Sequence, residues 1–441
     1  MIKVGIVSLG CSKNLVDSER MLFKLHGKFE LEADAALADV AIINTCGFIQ
    51  SAKEEAIETI LEFVALKKEG KIKRIVITGC LAERYKEELL AEFPEADAVV
   101  GLGSEDKIAE IIAELDDKPK LFSGDKLCLP LSGGRISGTL SFYSYLKIAE
   151  GCDNRCSYCA IPSIRGKMRS VPMELLLKEA QELAQSGVKE LNIIAQDITR
   201  YGEDLYGECK LPELLEKIAE IQGIQWIRLL YCYPERITEK LIETINKTEK
   251  IVKYLDIPIQ HCDGEILRRM NRPGDEQSLR TLIAKLRADI PGVILRTTII
   301  TGFPGESYPN FQHLCEFVSD MKFDRLGCFP YSAEEGTPAA EFPDQIDEEI
   351  KMQRAEIIMD TQNIIMAQAN EKYVDTDIIV LTEGFDRYAE CFFGRSYMDG
   401  PDIDGKIFFT TEPDDKPYPG DFVTVHVTET LDLDLLGFRN D

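Results

Sequence analysis

The residues that most restrict this chain lie near its middle, at Gly151-Cys152-Asp153-Asn154-Arg155-Cys156-Ser157-Tyr158-Cys159. Three cysteines spaced Cys-x3-Cys-x2-Cys let one short loop present three thiolates to three corners of an iron–sulfur cube. A fourth cysteine would close such a cluster, and none is near in sequence, so one iron is left open for another ligand. Structural zinc also takes short cysteine spacings, but it needs a second ligand pair. The next cysteines, Cys128 and Cys209, stand alone.

A length of 441 residues, at ~100–200 residues per domain, allows about two to four domains. Apolar and charged contents of 44% and 29% are ordinary for a globular protein, whereas a net charge of −26 is not. That charge opposes a surface that coats nucleic acid and suits a basic protein partner. No apolar run approaches the ~18–20 residues that span a bilayer. Ser8-Leu9-Gly10-Cys11 has the look of a lipoprotein cleavage box. The apolar stretch before it is shorter than the ~7–15 residues of a signal core and reads better as a buried strand. A cytoplasmic location is therefore expected, where thirteen cysteines serve metals or lie buried and do not pair.

Strand-like runs at 2–10, 40–45, 74–79 and 98–101 alternate with helical patterns at 14–25, 51–68, 81–92 and 106–115. The alternation predicts an α/β unit over residues 1–118, an open parallel sheet covered on both faces. Cys11, Cys46 and Cys80 each follow one of its first three strands, at the carboxyl edge where such sheets gather ligands. Buried free cysteines are the plain alternative, but the repeated strand-end placement favours a second three-thiolate metal site. Residues 116–138 read as a turn-rich connector. Six strand–helix units over 138–370, the first strand at 143–149 and the last at 325–329, predict a partial (β/α)6 barrel with chemistry at its carboxyl ends. Residues 347–372 read as a helical linker. Residues 373–441 carry short β-rich runs at 377–382, 389–393, 406–411 and 421–427, which predict a small antiparallel β-barrel. From 372 to 441 six Lys/Arg face sixteen Asp/Glu, a net of −10, the wrong sign for gripping RNA phosphates.

The cysteine loop, with Tyr158 before its third cysteine, resembles the signature of the radical S-adenosylmethionine enzymes. The resemblance implies that the open iron binds the amino and carboxylate groups of the methionine moiety. It also implies one-electron cleavage to a 5′-deoxyadenosyl radical, with Tyr158 beside the adenine. Ala195-Gln196-Asp197 takes the place of that superfamily's Gly-Gly-Glu segment, from which it departs. Thr301-Gly302-Phe303-Pro304-Gly305-Glu306 resembles a second nucleotide-contacting loop; its other reading is an ordinary glycine-rich turn.

Over all three parts the chain is similar to the methylthiotransferases, which join a cluster-binding N-terminal domain, a radical barrel and a C-terminal TRAM barrel. That similarity implies two [4Fe-4S] clusters with three cysteine ligands each. Cys152, Cys156 and Cys159 match the catalytic cluster. Cys11, Cys46 and Cys80 match an auxiliary cluster that supplies sulfur, methylated by a second S-adenosylmethionine. Gly10-Cys11-Ser12-Lys13-Asn14-Leu15-Val16-Asp17-Ser18-Glu19 resembles the branch whose target is the β-carbon of an aspartate in small-subunit ribosomal protein S-twelve. An acidic tail suits such a basic partner. An electron donor such as flavodoxin or ferredoxin is also implied. The alternatives are the family's tRNA-adenosine branch and a non-catalytic electron carrier, whose clusters four cysteines would close.

Other residues carry two readings. His261, in Pro258-Ile259-Gln260-His261 at a strand end, lines the pocket or is structural. Arg165, Lys167 and Arg169 meet carboxylates of cofactor or substrate, or form a solvated basic turn. Cys128, Cys209, Cys232, Cys262, Cys315, Cys328, Cys391 and Trp226 read as packing residues.

Overall fold

The computed structural model describes residues 1–128, 133–138 and 140–440. Ser132 of the connector, the side chain of Cys128, and Asp441 lie outside that description.

The first unit is a parallel sheet of β1 (Lys3–Ser8), β2 (Glu30–Leu31), β3 (Val40–Thr45), β4 (Arg74–Gly79), β5 (Ala98–Val100) and β6 (Lys120–Phe122), in the order β2-β1-β3-β4-β5-β6. Side chains alternate between its faces. Ile43 and Ile77 join Ile60 and Phe63 on one side, while Ile42 and Val76 join Met21 and Ile108 on the other. Four strands were expected and six are present. β2 and β6 are too short to carry a period, and β6 falls inside the expected connector.

The central unit is an open barrel of six parallel strands: β7 (Tyr143–Lys147), then, beyond a short pair β8 (Ala149–Glu150) and β9 (Arg169–Ser170), β10 (Glu190–Ile194), β11 (Trp226–Leu229), β12 (Ile251–Asp256), β13 (Ile294–Thr301) and β14 (Arg325–Pro330). The single strand expected at 143–149 breaks at Ile148, whose N–H donates to Ile194 O and whose carbonyl accepts from Val171 N, both at 2.9 Å. β8 and β9 pair antiparallel, so the cysteine loop is an excursion closed at its base. Helix Glu348–Glu371 is not a linker. It buries Ile358 and Ile365 against the barrel, and Gln362 Nε2 donates to Phe323 O at 2.8 Å.

The C-terminal unit is a closed five-stranded barrel of β15 (Asp377–Asp386), β16 (Cys391–Arg395), β17 (Ile407–Thr410), β18 (Phe422–Leu431) and β19 (Asp434–Arg439), in the order β15-β16-β17-β19-β18. The fifth strand was not expected, because Asp432-Leu433, with Asp432 at φ 50°, turns the chain without a glycine. The segment between β16 and β17 enters the central barrel at its amino-terminal end. There Arg228 Nη1 donates to Tyr397 O (2.8 Å), Arg325 Nη2 to Asp399 Oδ1 (2.7 Å) and Tyr254 OH to Asp404 Oδ2 (2.6 Å). Arg395 spans Glu190 and Glu383. One apolar cluster runs across the junction, from Tyr145, Ile194 and Tyr254 to Met398, Ile407 and Phe409. Several of the tail's acids therefore serve internal pairs, which weakens the argument from its net charge alone.

Candidate functional site

β1, β3 and β4 are neighbours in the sheet, so their carboxyl ends bring Cys11, Cys46 and Cys80 to one edge. Cys11 caps helix Ser12–Leu25, Cys46 follows β3 directly, and Cys80 opens helix Cys80–Glu92. The approach is close. Gly10 stands at φ +80°, and a Cβ there would lie 2.5 Å from Cys46 Cβ and 2.9 Å from its Sγ. Asn14 ties the edge together, donating to Leu9 O (3.1 Å) and Thr45 O (2.9 Å), while its Oδ1 accepts from Arg165 Nη2 (2.5 Å) and lies 3.6 Å from Cys80 Sγ. Burial raises the Cys46 thiol and pushes that of Cys80 up to about 12.

The second set sits on a loop pinned from several directions. Ser157 N donates to Met270 O (2.9 Å), Ser157 Oγ to Arg269 O (2.7 Å), Asn271 Nδ2 to Arg155 O (2.7 Å) and Asn154 Nδ2 to Asp197 Oδ2 (2.8 Å). Burial pushes the Cys152 thiol up to about 11 and raises Cys159 further. The Tyr233 hydroxyl lies 3.4 Å from Cys156 Sγ, and the Arg272 guanidinium covers the Tyr233 ring at 4.1 Å. Buried thiols resist deprotonation in water-poor surroundings unless a cation answers the charge. Three thiols per set, closely framed by glycine, fit an iron–sulfur cluster whose iron supplies that charge. Among the described residues no three metal-binding groups close on one point as they would around a single ion. A cube offers its irons at separate corners, so its ligands stand apart.

The two sets adjoin. Cys80 packs with Leu102, Ile164 and Ala160, the residue after Cys159. Behind this contact Arg165 Nη1 reaches Asp17 Oδ2 and Glu150 Oε1, each at 3.0 Å, and Lys147 pairs with Asp17 and with Glu150 (2.7 Å). Burial alone would raise the Glu150 carboxyl, but Arg165 and Lys147 hold it well below the usual carboxylate range. Arg165 thus meets the protein's own carboxylates, and Arg169 donates to Leu127 O and Lys126 O; neither forms a solvated turn. Asn14, Asp17 and Glu19 of the first helix each answer a partner in this junction. Glu19 accepts from Arg135 and, at 2.7 Å, from Gly138 N.

Tyr158 packs partly buried against the barrel core, its hydroxyl 3.5 Å from Arg272 Nη1. Ala195 is buried, Gln196 Nε2 donates to Glu150 Oε1 at 3.2 Å, and Gln196 Oε1 is buried without a partner. Asp197 is committed to Asn154 and to Thr199 N (3.0 Å). Glu306 is equally committed, accepting from Gly302 N (2.9 Å) and Arg354 Nη1 (2.6 Å). Gly305 stands at φ +84°, where a Cβ would meet the Arg269 guanidinium at 2.5 Å. His261 is structural: its Nδ1 accepts from Asp263 N (2.9 Å) and its Nε2 faces Glu306 Oε2 at 3.5 Å. Arg272, Asn271 and Tyr233 went unnoticed in the sequence. The one signal was the Arg-Met-Asn-Arg-Pro-Gly turn that closes helix Gly264–Arg269.

Comparison with known proteins agrees with this layout. Residues 3–101 match uncharacterized protein family UPF0004, residues 146–318 the radical SAM superfamily and residues 376–438 the TRAM domain. A solved structure of the radical S-adenosylmethionine methyltransferase TsrM from Kitasatospora setae shares the fold, with TM-score 0.55 and 14% identity over 74% of this chain and 73% of that one. The protein is thus a radical S-adenosylmethionine enzyme, and an iron–sulfur cluster and S-adenosylmethionine are its cofactors. The ribosomal protein uS12 methylthiotransferase RimO of Lachnoclostridium phytofermentans is 49% identical over 99% of both chains. That of Geotalea uraniireducens is 48% identical over 99% of this chain and 98% of its own. The chain belongs to the RimO family.

Proposed function

We propose that this chain is a ribosomal protein uS12 methylthiotransferase that places a methylthio group on the β-carbon of an aspartate. The observation that carries the reading is the junction of two three-cysteine sets, through Cys80 and Ala160, in a chain alike over its full length to RimO proteins. Residues 1–118 hold the auxiliary cluster through Cys11, Cys46 and Cys80. Residues 138–370 hold the catalytic one through Cys152, Cys156 and Cys159, and residues 373–441 form the TRAM barrel. When bound, the two [4Fe-4S] clusters and S-adenosylmethionine supply one-electron C–H activation and the transferred sulfur.

The chain's own residues aim that chemistry. Gln196 Oε1, buried and unanswered, is an acceptor for the cofactor's amino group. Tyr158 and Ala195 would line the adenine side of the cofactor. Asp197 acts by holding the cysteine loop through Asn154. Glu306, fixed by Arg354, shapes the turn in which Gly302 and Gly305 offer backbone to the nucleoside. A flavodoxin or ferredoxin serves as electron donor, and a ribosomal target places the work in the cytoplasm. No described helix is long and apolar enough to cross a membrane.

The test is the mass of uS12 from cells with and without the gene. Loss of the methylthio increment only in its absence is expected. An unchanged uS12 beside tRNA that lost a methylthio group would move the chain to the family's other branch.

A further inference from the structure

Lys13 holds a charge that the protein does not answer. It is the second residue of helix Ser12–Leu25 and only 7% exposed. Its Nζ stands 3.1 Å from the centroid of the Tyr231 ring. Among the described residues no carboxylate or carbonyl oxygen pairs with it. The acids around it are committed elsewhere. Asp17, one turn on, serves Lys147 and Arg165; Asp256 serves Arg296 and the Tyr231 N–H; Asp197 serves Asn154 and Thr199. An aromatic face attracts a cation but does not neutralise it. An ammonium whose stem is buried, whose tip still reaches solvent and whose one close partner is a ring is a seat for an anion.

The seat is held in place. Tyr231 follows β11 with φ at 65°, a conformation that a bulky residue adopts only under constraint. Its N–H donates to Asp256 Oδ2 (3.1 Å) and its carbonyl accepts from Ile198 N (3.2 Å), on the segment that follows Gln196. The seat joins residues that are close in sequence to both cysteine sets. Lys13 is two residues from Cys11, and Tyr231 is two residues from Tyr233, whose hydroxyl touches Cys156.

We infer that Lys13, braced on Tyr231, binds the carboxylate of the substrate side chain and so selects an acidic residue as the target. The inference rests on the reading that the target is an aspartate. The same chemistry would serve the carboxylate of the cofactor's methionyl group, and the measurements separate the two. An ammonium–carboxylate contact in a water-poor site discriminates by about tenfold to a hundredfold.

The experiment uses reconstituted enzyme, a peptide of the uS12 target loop, and the same peptide with asparagine for aspartate. Lys13→Met is expected to raise KM for the aspartate peptide about tenfold to a hundredfold and to abolish preference over the asparagine peptide. Its iron content and S-adenosylmethionine dissociation constant should match wild type, and Lys13→Arg should recover part of the lost preference. An unchanged KM and preference in Lys13→Met with wild-type iron content would overturn the inference while leaving the proposed function standing. A loss confined to S-adenosylmethionine binding would overturn it in favour of the cofactor carboxylate. Failure of the wild-type enzyme to modify the aspartate peptide would overturn the proposed function itself.

Discussion

Glu105 lies buried in the turn Leu102–Lys107, where the Thr78 hydroxyl donates to it at 3.2 Å. Burial, reinforced by the Asp17 carboxylate, pushes its carboxyl from 4.5 up to about 8, against Arg165, Lys147 and Thr78, which act the other way. A carboxyl that keeps its proton longer folded than unfolded adds stability that is complete below its unfolded value. That contribution is lost as pH climbs through the folded value. Glu105→Gln keeps the shape and cannot ionise. It should match wild type near pH ~4 and exceed it by roughly 3–5 kcal/mol near pH ~9. Thermal midpoints of the metal-free chains at both pH values check this; an offset equal at both would mean that ionisation is not the cause. Such residues are poorly legible in sequence. Asp17 and Arg165, paired at 3.0 Å, stand 148 positions apart. Only the docking of two units makes partners of them.

Strand ends bring Cys11, Cys46 and Cys80 to one edge, and here the sequence spoke more plainly. A cysteine just past an apolar run needs only the run to be a strand, and β3 and β4 begin and end where periodicity places them. The adjacency of β1, β3 and β4 is a matter of sheet order, which no local pattern encodes. The cysteine loop was legible from spacing alone. Its base in β8 and β9 was not, since two-residue strands have no period. Three elements bringing one thiol each make a sharp expectation. Reconstituted protein should hold about eight irons, and replacing Cys11, Cys46 and Cys80 together by alanine should leave about four. Iron and sulfide analysis reads this directly. An iron content that did not fall would remove the auxiliary cluster and leave the three as free thiols.

At the scale of the whole molecule the C-terminal barrel is a floor for the central one. The central barrel's strands begin with Tyr143, Glu190, Trp226, Ile251, Ile294 and Arg325, and at this end Arg228, Glu190 and Arg325 take their partners from the segment 395–404. Phe142, Val252 and Tyr254 bury against the same segment and the strands beside it. Fully burying one such large side chain contributes about 1.5–3 kcal/mol, so several together rival the stability of a whole domain. The change of composition near residue 373 marks a new unit but says nothing of this docking, because the pairs join residues far apart in sequence. If the tail were a tethered module, a chain ending at residue 372 would fold and hold its clusters. The interface demands the opposite: such a chain should be insoluble or should unfold without a cooperative transition. Arg395→Met, which leaves Glu190 with Arg228 and strips Glu383 of its partner, should lower the stability of the intact chain by about 2–4 kcal/mol. Soluble expression and calorimetry decide between the two, and a cooperative, cluster-bearing truncated chain would show that the floor is dispensable.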